Sequence, residues 1–83
     1  MQYQVYIIQS LLDNSYYIGY TRNLEKRIFQ HNHDKTGYTS RKAPWNLVYS
    51  ESFETKTLAI KREHFLKNQK NREFIVQLIT GLI

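Results

Sequence analysis

Tyr6, Tyr17, Arg27, His31 and Glu63 are the side chains of this sequence whose types, taken together, could carry out a reaction. Hydrolysis of a phosphodiester needs a base for the attacking water, positive charge for the phosphorane-like transition state and help for the departing oxyanion. The two phenols, with Arg27 and His31, offer proton-transfer groups and a cation, and Glu63 is a hard oxygen ligand. One carboxylate completed by waters and a substrate phosphate is the mode in which Mg²⁺ is usually held. A phenol with an ordinary pKa of about 10 is a weak base near neutrality. A tyrosine in that role therefore needs nearby cationic charge, or His31 to take its proton. Competing chemistries lack their residues: there is no phosphate-binding glycine loop, glycine-flanked serine nucleophile or His/Cys zinc spacing, and His31 and His33 are too close to share a helical face.

The elements that must position these groups begin with two runs rich in Val, Ile and Tyr, residues that suit a pleated, half-buried surface. They are Tyr3 to Gln9 and Tyr16 to Tyr20, separated by Ser10 to Ser15, where Asp13 and Asn14 supply turn chemistry. Side chains on a strand alternate with period two, so an even loop puts Tyr6 and Tyr17 on one face of the hairpin. Gly19 shares that face and leaves it open for something large. Val5, Ile7, Ile18 and Tyr20 then pack on the other side. Tyrosines paired across strands also serve as plain packing.

Asn23 is the expected N-cap of a helix from Leu24 to His31 or Asn32. At about 100° per residue, Leu24, Arg27, Ile28 and His31 fall in one arc, with Arg27 and His31 one turn apart at the edge of the buried stripe. Residues 33–44 read as a polar loop in which Lys35, Tyr38, Arg41 and Lys42 interleave positive charge with an aromatic ring. A third strand is predicted over Trp45 to Phe53, with Leu47 and Tyr49 alternating with Val48 and Pro44 just before its start. Thr55 caps a second helix, Lys56 to about Lys67. Glu63 follows Ala59 by four and Ile60 by three and precedes Leu66 by three, so its carboxylate lies on the apolar side of that helix. An unpaired charge there is costly, and the partner is either an arginine or a divalent cation. Asn71 can cap a last helix, Arg72 to Ile79, with Phe74, Ile75, Leu78 and Ile79 as its stripe and Gly81 past its end.

Eighty-three residues make one domain (residues 1–83) with a small core. Absence of cysteine excludes disulfides and thiolate metal sites. No basic leader precedes the first strand and no apolar run approaches membrane-spanning length, so the expectation is a soluble cytoplasmic protein without membrane partners. Twelve Lys and Arg against seven Asp and Glu give a net charge of +5, a balance that favours polyanions and above all nucleic acid. The candidate nucleic-acid surface comprises Arg22, Lys26, Lys35, Tyr38, Arg41, Lys42, Lys61, Arg62 and Lys67.

These residues also resemble a family. The phrases Val5-Tyr6-Ile7, Tyr16-Tyr17-Ile18-Gly19-Tyr20-Thr21, Leu24-Glu25-Lys26-Arg27-Ile28 with His31-Asn32, Tyr38-Thr39, Pro44-Trp45, Leu47-Val48-Tyr49, Ala59 with Lys61-Arg62-Glu63, and Leu66-Lys67 are similar, in order and spacing, to the small stand-alone proteins of the GIY-YIG nuclease superfamily. Gln4 replaces the glycine of the signature. The resemblance implies an α+β fold, a three-stranded antiparallel sheet flanked by helices in the order β-β-α-β-α-α, and a hydrolytic site with one metal ion. It implies that Tyr6 and Tyr17 position or deprotonate the attacking water, Arg27 stabilises the phosphate, His31 assists proton transfer and Glu63 binds Mg²⁺ or Mn²⁺. A further polar residue, commonly Asn, is expected near the site, with Asn68 and Asn71 as candidates.

The expected activity is therefore that of a divalent-metal-dependent DNA endonuclease with little sequence preference, selective for DNA structure and linked to repair. The basic surface, a homo-oligomer or a protein partner would supply substrate choice. The alternatives are a non-catalytic nucleic-acid-binding module on the same fold and a protein-interaction domain using the Tyr- and Trp-bearing surface.

Overall fold

In the computed structural model, which describes residues 2–83, strands β1 (Tyr3–Ser10) and β2 (Tyr16–Thr21) form an antiparallel hairpin. Its turn is built by short polar side chains. Ser10 Oγ accepts from the backbone N–H of Leu12 and Asp13, Asp13 Oδ1 accepts from Ser15, and Asn14 takes a φ of 64°, a region asparagine tolerates. The pairing sets Tyr6 opposite Gly19 and Ile8 opposite Tyr17. Tyr6, Tyr17 and Gly19 thus share a face, as alternation across an even loop requires.

Helix α1 (Leu24–His33) follows, capped by Asn23, whose side chain accepts from Lys26 N. It runs one or two residues beyond its expected end. The connection to strand β3 (Trp45–Phe53) holds a short 3₁₀ turn, Thr39–Lys42, within a stretch read from sequence as a polar loop. Helix α2 (Lys56–Lys67) starts at its Thr55 cap, and helix α3 (Arg72–Thr80) lies between Asn71 and a left-handed Gly81. The sheet order is β2-β1-β3, with β1 central and antiparallel to both neighbours. The expected α+β architecture is the observed one.

Because β1 is covered on both faces, Val5, Tyr6, Ile7 and Ile8 are all fully buried. Val5 and Ile7 pack against Ala59 and Leu66 of α2 and Ile75 and Leu78 of α3, joined by Ile18 and Tyr20. Tyr6, Ile8 and Trp45 form a smaller cluster on the opposite face with Tyr17 and with Leu24 and Ile28 of α1. Simple alternation fails in β3. The register shifts between Ile7 and Ile8, so Ile7 pairs with Tyr49 and Ile8 with Leu47. Val48 is the extra residue of this bulge, and Val48 and Tyr49 both turn towards the α2–α3 side. Among the described residues, no helix is long and apolar enough to cross a membrane.

Candidate active site

Tyr6, Tyr17, Arg27 and Glu63 line one cavity of about 490 Å³, together with Tyr3, Gly19, Tyr20, Thr21, Arg22, Asn23 and Lys56. Tyr17 and Gly19 lie on one face of β2 and Tyr20 on the other, so the cavity takes in both sides of that edge strand. Helix α1 contributes Arg27 and helix α2 contributes Glu63.

His31 is not part of the cavity lining. It is buried behind Tyr6, with Nε2 2.7 Å from Tyr6 Oη and Nδ1 3.1 Å from Thr39 Oγ1. The edge of the Tyr17 ring also meets the imidazole, with centroids 5.1 Å apart. Burial, and then the Arg27 guanidinium, depress the pKa of His31 below its ordinary value. Burial, and then the neighbouring Tyr17, push the Tyr6 phenol well above its usual range; Glu63 adds to this rise and Arg27 opposes it. At neutral pH the imidazole is therefore neutral and the phenol protonated. With the proton on Nδ1, Tyr6 O–H donates to Nε2 and Nδ1–H donates to the Thr39 hydroxyl; with the proton on Nε2, both bonds reverse direction.

The rest of this scaffold is tied down by hydrogen bonds. Trp45 Nε1 donates to the Thr39 carbonyl at 2.8 Å, fixing the 3₁₀ turn that presents Thr39. Asn32 clamps the first residue of β3: its Oδ1 accepts from Trp45 N at 2.6 Å and its Nδ2 donates to Trp45 O at 3.3 Å. Thr39 and Asn32 belong to the matching sequence phrases, but no spacing rule reveals that they support His31 and β3.

Glu63 is buried on the apolar side of α2 and reaches the cavity from there. Its nearest ion-pair neighbours are Lys67 Nζ at 3.6 Å and the His64 ring Nε2 at 3.8 Å, both beyond hydrogen-bonding distance. Among the described ion pairs no arginine holds it. A buried carboxylate facing a polar cavity without a tight partner fits a site for a hard divalent cation. Among the described residues no cluster of three or more His, Cys, Asp or Glu could hold a metal. A cation here would rely on Glu63, water and substrate oxygens.

The remaining nominated residues spread out. Arg22 lines the cavity with its guanidinium over the Tyr3 ring, while Lys26 borders a separate shallow hollow beside Phe29. Lys35, Tyr38 and Arg41 are exposed on the connection before β3; Lys42 lies over the Tyr38 ring and pairs with Asp13 at 2.8 Å. Lys61 is exposed, and Lys67 leans to Glu63. Arg62 is turned elsewhere: its Nε donates to both carboxylate oxygens of Glu51 on β3 at 3.0 Å. Neither Asn68 nor Asn71 lines the cavity. Asn68 ends α2 and Asn71 caps α3 by accepting from Glu73 N, whereas the asparagine in the lining is Asn23.

Comparison with known proteins identifies the family and the fold. The sequence profile of the GIY-YIG catalytic domain matches residues 2–75. A UPF0213 protein of Staphylococcus saprophyticus is 42% identical over 67 residues, covering 80% of each chain. A UPF0213 protein of Natronomonas pharaonis is 37% identical over 80 residues, covering 93% of each. The solution NMR structure of the UPF0213 protein BH0048 from Bacillus halodurans superimposes with a TM-score of 0.61 at 33% identity, over 96% of this chain and 84% of that one. With the profile covering most of the sequence and the tyrosine-bearing hairpin intact, the chain belongs to the GIY-YIG family of nuclease domains.

Proposed function

We propose that the protein is a divalent-metal-dependent endonuclease that hydrolyses DNA with low sequence specificity, selects DNA structure and serves repair. The observation that carries this reading is the 2.7 Å contact between Tyr6 Oη and His31 Nε2 at the wall of the cavity that also holds Arg27 and Glu63. The basic surface, a second copy of the chain or a partner protein would then supply substrate choice.

The proton path follows from the two opposed pKa shifts. Tyr6 holds its proton tightly and His31 is a free base, so a separated tyrosinate is not the resting state. As water attacks phosphorus, one of its protons passes to Tyr6 Oη while the original phenolic proton passes to His31 Nε2. Water leaves this exchange as hydroxide bonded to phosphorus, Tyr6 is unchanged and His31 ends as imidazolium. The path uses the tautomer with Nδ1–H donating to the Thr39 hydroxyl, which keeps Nε2 open as the acceptor. Tyr17 borders both His31 and the cavity and orients the water from the other side. Arg27 places fixed positive charge against the phosphate oxygens where negative charge grows. Glu63 would hold Mg²⁺ or Mn²⁺, which when bound supplies Lewis-acid charge for the departing oxygen.

The test is cleavage of labelled branched, single-stranded and duplex DNA with Mg²⁺ or Mn²⁺, with Glu63→Ala as control. Metal-dependent cleavage abolished in the variant is the expected result. Retained DNA binding without any cleavage would replace the enzyme by a binding module.

A further inference from the structure

Tyr17 belongs to two cavities. Besides the one containing Glu63, it borders a groove of about 290 Å³ whose walls include Tyr38, the apolar side chains Ile18, Leu66 and Ile75, and Lys67. No acidic residue lines it. The Tyr17 and Tyr38 rings are 6.3 Å apart with an interplanar angle of 30°. A flat ring inserted between two others needs about 7 Å, two carbon contacts of about 3.5 Å each. Tyr38 is 55% exposed, so its ring is free to rotate away from Tyr17 and open the slot to that spacing. Lys42, paired with Asp13, lies over the Tyr38 ring with its ammonium 5.2 Å from the centroid. Lys67 joins the two cavities, since it lines the groove while its ammonium lies 3.6 Å from Glu63 Oε2, too far to be firmly held there.

We propose that this groove binds one unpaired nucleotide of a DNA strand, its base between Tyr17 and Tyr38 and its backbone phosphate on Lys67. Apolar walls, two aromatic faces and the Lys67 ammonium at the rim match a base with its phosphate, and stacking of this kind tolerates any base. The groove and the candidate active site share Tyr17, so the bound nucleotide lies next to the scissile phosphate; this last step rests on the nuclease reading, the base slot does not. A paired base is stacked within its duplex and cannot enter. The favoured substrates are therefore strands with an unpaired nucleotide beside the cut: flaps, frayed ends and single strands.

Binding tests the slot without hydrolysis. An oligonucleotide carrying 2-aminopurine, as single strand and as blunt duplex, is titrated with protein in EDTA. Stacking should quench the single strand, and Tyr38→Ala should weaken its binding about 5- to 30-fold while changing duplex binding less than about twofold. Tyr38→Trp should restore the quenching, which a merely structural role for Tyr38 would not predict. No quenching, or equal losses on both DNAs, overturns the proposal. Cleavage with Mg²⁺ separates it from the nuclease reading. A protein that stacks the base yet never cuts retains the slot and loses the nuclease; one that cuts duplex and single strand alike, indifferent to Tyr38→Ala, does the reverse.

Discussion

A Cβ atom built on Gly19 would lie 2.6 Å from Tyr6 Oη and 2.8 Å from Tyr6 Cζ. The two residues are direct cross-strand partners, and the phenol occupies the space where any other residue at 19 would carry its side chain. Glycine is required here for close approach and not for backbone conformation. Tyr6 cannot retreat, because it is fully buried and bonded to His31. Gly19→Ala should cost about 1–3 kcal/mol in thermal or urea unfolding, the usual cost of overpacking. It should also displace the phenol and reduce cleavage. Tyr6→Phe should not rescue its stability, since the ring carbon still clashes. Unchanged stability in Gly19→Ala would contradict the packing described.

Tyr6→Phe keeps the ring and removes the hydroxyl bonded to His31, which in the proposed path relays the proton of water. The loss leaves His31 Nε2 buried without its donor, at a cost of about 1–3 kcal/mol. Single-turnover cleavage should fall by about 10²–10⁴-fold, the range for a positioned proton-transfer group. DNA binding should hold. Full activity in this variant would remove Tyr6 from the proton path.

His31 sets the expected pH dependence. Its folded-state pKa lies below the ordinary 6.5, so as pH falls through 6.5 the unfolded chain takes up a proton before the folded one. Stability should therefore be flat for this group above about pH 6.5 and fall as acid passes through the window between 6.5 and the depressed folded value. Plots of stability against pH for wild type and His31→Gln should differ in slope within that window and run parallel above and below it. In the proposed path cleavage needs the neutral imidazole, so its acid limb should lie below 6.5. A limb centred above 6.5 would exclude His31 as the proton acceptor.

Glu63 predicts a metal effect without any reaction. If the carboxylate holds the ion, Mn²⁺ at about 100 times its Kd adds about 2.7 kcal/mol to wild-type stability. Glu63→Gln should show no such rise in Tm. Equal rises in both proteins would place the ion elsewhere.

Asn32 offers a purely structural check. Its side chain bonds both backbone groups of Trp45, and Asn32→Ala leaves a part-buried N–H unpaired. A loss of about 1–3 kcal/mol is expected, with Tm falling at every pH alike because no titrating group is removed.

Much of this molecule is written in local rules. Asn23, Thr55 and Asn71 cap the helices where their short polar side chains can reach the first turn. The shared face of Tyr6, Tyr17 and Gly19 follows from period-two alternation across an even loop. The buried placement of Glu63 follows from its spacing to Ala59 and Leu66 on one helix. Such rules act over four or five residues and need no knowledge of distant partners.

Tertiary contacts decided the rest. The β3 bulge that turns Val48 and Tyr49 to one side is a register shift against β1, set by how two remote strands pack. Arg62 reads from sequence as a surface cation, but Glu51, eleven positions away on another element, takes it. His31 and Arg27 share a helix edge, yet the sheet buries the first behind Tyr6 and leaves the second at the cavity. The sequence by itself determined which groups could reach one face, because pitch and pleat are intrinsic to the backbone. Their order from surface to interior was decided only by folding, because burial and partnership depend on what the opposing element brings to the same place.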